Sequence, residues 1–94
     1  MSTQEQEEVD VLEYTDLGDH AELIVLNDDY NTFDWVIQCF MEILNHTEAQ
    51  SEQLALLIHF KGKATVKTAP KPILKPKKEA LTDRGLSAVI EGGN

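Results

Sequence analysis

Apolar residues recur along this chain in several distinct rhythms. From Ala21 to Leu26 they run almost unbroken, with β-branched Ile24 and Val25 among them. A short run of that kind predicts a largely buried strand. Asn27 to Asn31 is then densely polar, and Asn and Asp favour turns by bonding to nearby backbone groups. From Phe33 the rhythm changes. Phe33, Val36, Ile37, Phe40, Met41 and Leu44 follow i, i+3, i+4, i+7, i+8 and i+11, one apolar stripe of a helix. Trp35 and Ile43 fall off that stripe and either widen the core or mark an apolar patch.

The helix boundaries carry local signals. Asn31 with Asp34 three residues on resembles a capping box, and Asp34 suits the positive end of the helix dipole. Asn45 and His46 end that helix. Thr47-Glu48-Ala49-Gln50 reads as a second capping box. The second helix runs to about Phe60 or Lys61, with Leu54, Leu57, Ile58 and Lys61 inward and Gly62 as a left-handed terminator. A short strand follows over Ala64 to Thr68. Pro70, Pro72 and Pro76 come next. Proline is costly inside a helix and tolerated in its first turn, so a third helix is expected to start near Pro72 or Pro76. It ends at Arg84 with Gly85 behind it. Leu86 to Glu91 is the last strand, and residues 92–94 a frayed end.

The predicted order is β-α-α-β-α-β. That places the chain in the α/β (α+β) class, as a two-layer sandwich with three helices on one face of a small, mainly antiparallel three-stranded sheet. With 94 residues there is room for one core. Residues 1–20 are rich in Glu, Gln, Asp and Thr and are expected to form a flexible acidic tail ahead of a single folded domain over 21–94.

Charge and cysteine usage narrow the function classes. The net charge is −9, which disfavours a phosphate backbone as partner. Residues 1–60 hold no Lys or Arg, whereas Lys61 to Lys78 hold nearly all of them. Solvated lysines around a turn and on an exposed helix face account for that cluster. No apolar run approaches the ~20 residues that span a bilayer. The acidic N-terminus does not read as a signal peptide. A single cysteine, Cys39, excludes an internal disulfide and fits a reducing compartment, so a cytoplasmic protein without membrane or nucleic-acid partners is expected. A monomer is the default.

Catalytic motifs are missing from the sequence: no HExxH, CxxC, GxSxG or P-loop pattern occurs. Asn27, Asp28 and Asp29 with His59 offer hard ligands to a cation, but too few to define a metal site. Cys39 sits among apolar neighbours and reads as a small buried hydrophobe. His59 near a helix end is ordinarily just half-exposed, and His20 and His46 have no evident partner. Periodicity alone leads to a small α/β binding domain.

The turn Asn27-Asp28-Asp29-Tyr30 after an apolar strand, followed by Phe33-Asp34-Trp35-Val36, resembles the signature of the ClpS family. His59 with Gly62 three residues on matches the family's histidine and following glycine. The resemblance covers about residues 21–91. It implies a non-enzymatic adaptor, without cofactor or metal, that brings proteins with a destabilising first residue to a AAA+ Clp unfoldase by way of that unfoldase's N-terminal domain. The free α-amino group would be held by Asn27, Asp28 and His59. An ammonium group offers only donors, so acceptors and negative charge suit it. A bulky first side chain, Leu, Phe, Tyr or Trp, would enter a pocket walled by Phe33, Val36, Ala55 and Ile58 with Leu26 at its floor. His59 accepts only as neutral imidazole, so binding is expected to weaken as pH falls through the ordinary imidazole range near ~6.5. By the same resemblance the acidic tail would assist hand-over to the unfoldase.

The chain departs from the family pattern in places. Thr32 stands where many members have proline, and Phe33 and Ala55 where many have methionine. The proline- and lysine-rich stretch Lys67 to Lys78 differs most. A rival of another class is a structural interaction domain of the ribosomal-stalk kind, which shares the same order of elements without needing those polar residues to converge.

Overall fold

The computed structural model describes residues 18–93. The expected acidic tail lies outside the described residues up to position 17, and so does Asn94. Six elements follow in the expected order: β1 (His20–Leu26), α1 (Phe33–Leu44), α2 (Glu48–Lys61), β2 (Lys63–Pro70), α3 (Lys71–Asp83) and β3 (Ser87–Gly92). The sheet order is β2-β1-β3, and β1 pairs antiparallel with both neighbours. The sheet is thus wholly antiparallel. β1 is central because its Ala21, Leu23 and Val25 carry the buried face, and each is almost fully covered.

The helices cover that face. Phe40 and Cys39 of α1, Ile58 of α2, and Leu74 and Leu81 of α3 join the β1 residues in one core. The stripe on α1 is turned from its expected position. Cys39, Phe40 and Leu44 are buried, while Phe33 and Met41 lie partly in solvent. α1 packs against both α2 and α3, so Trp35 and Ile43, off the stripe, are drawn against the core. On α2 the inward side is Ser51, Leu54, Ala55 and Ile58; Leu57 and Lys61 are exposed. Burial pushes the Cys39 thiol above its ordinary pKa, against the opposing influence of Arg84.

Helix ends show which local signals prevail. Thr32, not Asn31, caps α1, its hydroxyl accepting from Trp35 N–H at 3.1 Å. Asn31 is engaged elsewhere. The Thr47–Gln50 capping box forms with both of its bonds. Asn45 ends α1 and Gly62 ends α2, each in the left-handed region. α3 begins at Lys71, with Pro72 in its first turn and Pro76 inside it. Pro76 removes one i to i−4 bond, and Leu74 and Leu81, fully buried, hold the helix across that gap. Arg84 closes the helix and Gly85 follows at φ 95°.

One irregularity has a partner that the sequence did not suggest. The β1–β2 register skips Val66 between Leu23 and Ile24, a bulge. The Val66 carbonyl instead lies 2.7 Å from His46 Nε2, which donates to it. His46 therefore ties the α1–α2 connection to the bulged strand.

Ser51 is the exception to polar satisfaction. It is fully buried and, among the described residues, its hydroxyl is the one buried side-chain group without a hydrogen-bond partner. A buried hydroxyl without a bond costs about 1–3 kcal/mol. Ser51→Ala keeps the shape and improves helix propensity. It is expected to raise the unfolding free energy by about 1 kcal/mol in urea titration; a loss of stability would show that the hydroxyl is bonded.

Candidate functional site

A cleft of about 540 Å³ opens between the polar turn, α1 and α2. Its construction starts at the turn. The backbone of residues 27–31 belongs to neither a ladder nor a helix, so its N–H groups need other acceptors. Asp28 supplies two of them. Its Oδ1 accepts from Tyr30 N–H and Asn31 N–H, both at 2.9 Å, and its Oδ2 accepts from Asn31 Nδ2 at 2.9 Å. Partial burial pushes the Asp28 carboxyl upward, but the bonds from Asn31 and Tyr30 outweigh it and hold the group below the ordinary carboxylate range.

The turn is tied to the body at both ends. Asn27 N–H donates to the Gly62 carbonyl at 2.8 Å, three residues beyond His59. Asn31 Nδ2 also donates to the Gly85 carbonyl at 2.9 Å. Beside it, Trp35 Nε1 donates to the Arg84 carbonyl at 3.0 Å. The Arg84 guanidinium lies 5.8 Å from the Trp35 ring and forms an ion pair with Glu42. That pair holds the Glu42 carboxyl below its ordinary value and raises Arg84 further.

All eight residues singled out from the sequence line this one cleft: Leu26, Asn27, Asp28, Phe33, Val36, Ala55, Ile58 and His59. Their settings differ. Ala55 and Ile58 are about 5% exposed and form deep wall. Phe33 is 40% exposed and Leu26 36%, so these two sit toward the rim. His59 is exposed, and its ring meets Phe60 edge-on with centroids 5.1 Å apart. Val25, Asp29, Asn31, Leu56 and Leu86 complete the lining. Asp29 belongs to the same acidic run as Asp28, and its carboxylate is exposed and outside the turn's hydrogen bonds. Leu86 reaches the cleft from the far end of the chain, where no local pattern marks it.

Among the described residues, no group of three or more His, Cys, Asp or Glu side chains is placed to hold a metal ion. Among them, too, no helix is long and apolar enough to cross a membrane. What the cleft does offer is apolar walls with acceptors and negative charge along one rim.

Comparison with known proteins agrees with the sequence resemblance. The model of the family described as "ATP-dependent Clp protease adaptor protein ClpS" matches residues 18–89. The ATP-dependent Clp protease adapter protein ClpS of Thermosynechococcus vestitus is 36% identical over 66 residues, 69% of this chain and 70% of that protein. The Acetivibrio thermocellus protein of the same name is 39% identical over 44 residues, 47% of this chain and 44% of its own length. The fold is similar to that of Agrobacterium tumefaciens ClpS2 bound to L-phenylalaninamide, with a TM-score of 0.73 and 22% identity, covering 79% of this chain and 96% of the other.

The Asp28 bonds make a prediction. A carboxyl whose folded pKa is depressed contributes stability at neutral pH and loses it as pH falls through that folded value. Asp28→Ala is expected to cost about 1–2 kcal/mol at neutral pH. The gap to the wild type should narrow in urea titrations run at about pH 3, below the ordinary carboxylate pKa of ~3.9. An equal gap at both pH values would mean that the charge of Asp28 contributes nothing.

Proposed function

The chain belongs to the ClpS family of ATP-dependent Clp protease adaptors, and we propose that its cleft binds the free α-amino group and bulky apolar first side chain of substrate polypeptides for delivery to a AAA+ Clp unfoldase. The observation that carries this reading is the convergence of Asn27, Asp29 and His59 with the apolar walls Val36, Ala55 and Ile58 on one cleft. An α-ammonium group donates three hydrogen bonds and carries a positive charge. Asn27 and the His59 ring offer acceptors, and Asp28 and Asp29 offer charge. Because three bonds within the turn already engage Asp28, it acts mainly as a fixed negative charge and a brace. Asp29 supplies the unspent carboxylate. The related ClpS2 was solved with L-phenylalaninamide, a free amine beside an apolar aromatic side chain, which supports a ligand of this chemistry.

The energetics require both halves of the ligand. Burying a Leu or Phe side chain contributes about 1.5–3 kcal/mol. A charge-assisted hydrogen bond contributes about 1.5–3 kcal/mol. Neither half alone overcomes the cost of immobilising a peptide. The adaptor does no chemistry itself and needs no cofactor in this reading. Cys39, a buried free thiol, suits the reducing cytoplasm.

Fluorescence anisotropy tests the binding. Peptides that begin with Leu, Phe, Tyr or Trp should bind, and their N-acetylated forms should not. Asn27→Ala and His59→Ala should each weaken binding by at least about tenfold, the equivalent of one charge-assisted bond. Absence of binding by every free-amine peptide, with the protein folded, would favour a structural interaction domain of the ribosomal-stalk kind.

The acidic segment 1–20 is assigned, on the family relationship, to hand-over at the unfoldase. Removal of residues 1–18 should leave peptide affinity unchanged and abolish degradation of a Leu-initiated reporter by the adaptor-dependent protease. Degradation at the wild-type rate would reduce the segment to a solubilising tail.

A further inference from the structure

We infer, on the footing of the peptide-binding reading above, that Asn31 gives the cleft a preference for first side chains that end in a hydrogen-bond donor. Asn31 is half-buried and lines the cleft. Its amide carries two N–H donors and an oxygen with two lone pairs. Both donors are spent, on Asp28 Oδ2 and on the Gly85 carbonyl, each at 2.9 Å. A carboxylate and a carbonyl can only accept. The amide therefore cannot be turned round, and the place of its oxygen follows from its two partners.

That oxygen is unspent: no donor from the described residues reaches it. It lies over Gly85, 3.6 Å from where a Cβ on that glycine would stand. The next residue, Leu86, is buried and lines the same cleft. The acceptor thus lies beside Gly85, next in sequence to a residue of the cleft wall. Val25, Phe33, Val36, Ala55 and Ile58, which line the same cleft, carry no polar side-chain atom.

An acceptor that meets the ligand among apolar side chains discriminates between ligands of one shape. A Phe or Leu tip would displace water from Asn31 Oδ1 and give it no donor. The Tyr O–H or the Trp Nε1–H would donate to it and restore the bond. A buried polar group left unpaired by the wrong ligand is a strong source of selectivity. The substrates favoured are therefore polypeptides that begin with Tyr or Trp. One neutral hydrogen bond corresponds to a preference of about three- to tenfold.

Ligand isosteres separate the bond from size. Anisotropy would compare peptides that begin with Tyr and with para-methylphenylalanine, and with Trp and with benzothienylalanine, the second of each pair lacking the donor. In the wild type the donor-bearing member should bind about three- to tenfold tighter in both pairs. In Asn31→Ala, shown to be folded by circular dichroism, both ratios should fall to about one even if overall affinity also drops. Equal affinities within both pairs in the wild type would overturn the inference without any variant, and so would ratios that persist in Asn31→Ala. Binding with flat ratios defeats only the role of Asn31. Failure of every free-amine peptide to bind defeats the peptide-binding reading and this inference with it.

Discussion

The Asp28 carboxylate is the constraint on which the site depends. The six residues 27–32 between β1 and α1 must turn the chain without a ladder or a helix to absorb their backbone donors. Asp28 absorbs two N–H groups and a side-chain amide at once. That choice has consequences on either side. Asn31 is drawn into the turn and is lost as a cap, so Thr32 takes over the start of α1. Asp28, fully engaged, keeps its charge but not its freedom, and Asp29 is left as the accessible carboxylate. Two adjacent aspartates thus have separate tasks because one faces the backbone and the other faces solvent.

The turn is anchored to helix ends, and this follows from the chemistry of helices. The last carbonyls of a helix have no intrahelical partner. Gly62, behind α2, and Arg84 and Gly85, behind α3, offer such oxygens to Asn27, Trp35 and Asn31. Each contact satisfies a carbonyl that would otherwise depend on solvent. The same carbonyls carry the negative end of a helix dipole. The α2 terminus, beside His59, therefore adds negative potential to the rim where an ammonium group would sit. Stability and electrostatics are served by one arrangement.

What could be read from the sequence was local. The Thr47–Gln50 box and the Gly62 terminator fix α2 to within a residue, because capping is decided over three or four positions. Ala55, Ile58 and His59 lie on that helix and fell into place with it. The start of α3 was ambiguous, since Pro72 and Pro76 both allow a first turn and only the burial of Leu74 decides between them. Asn31 does not cap α1 because its amide is held by Asp28 and by the Gly85 carbonyl, and the second of these is 54 positions away. Leu86 escaped for the same reason. His46 found its partner in a strand bulge that no pattern announced.

The division between core and cleft explains how so small a domain leaves apolar surface open. Leu23, Phe40, Leu74 and Leu81 are fully buried and form a contiguous core across β1, α1 and α3. The cleft draws its walls chiefly from residues at the margins of that core: Phe33 at the start of α1, Leu26 at the end of β1, and one side of α2. Phe33 and Leu26 remain partly in water, a standing cost that burial beneath a ligand side chain would recover. Surface of this kind, apolar and rimmed by polar groups, marks a place for a partner rather than a defect in packing. The fold can carry it because the bonds that shape the rim run to helix ends outside the core, so the cleft stays open without loosening the sheet beneath it.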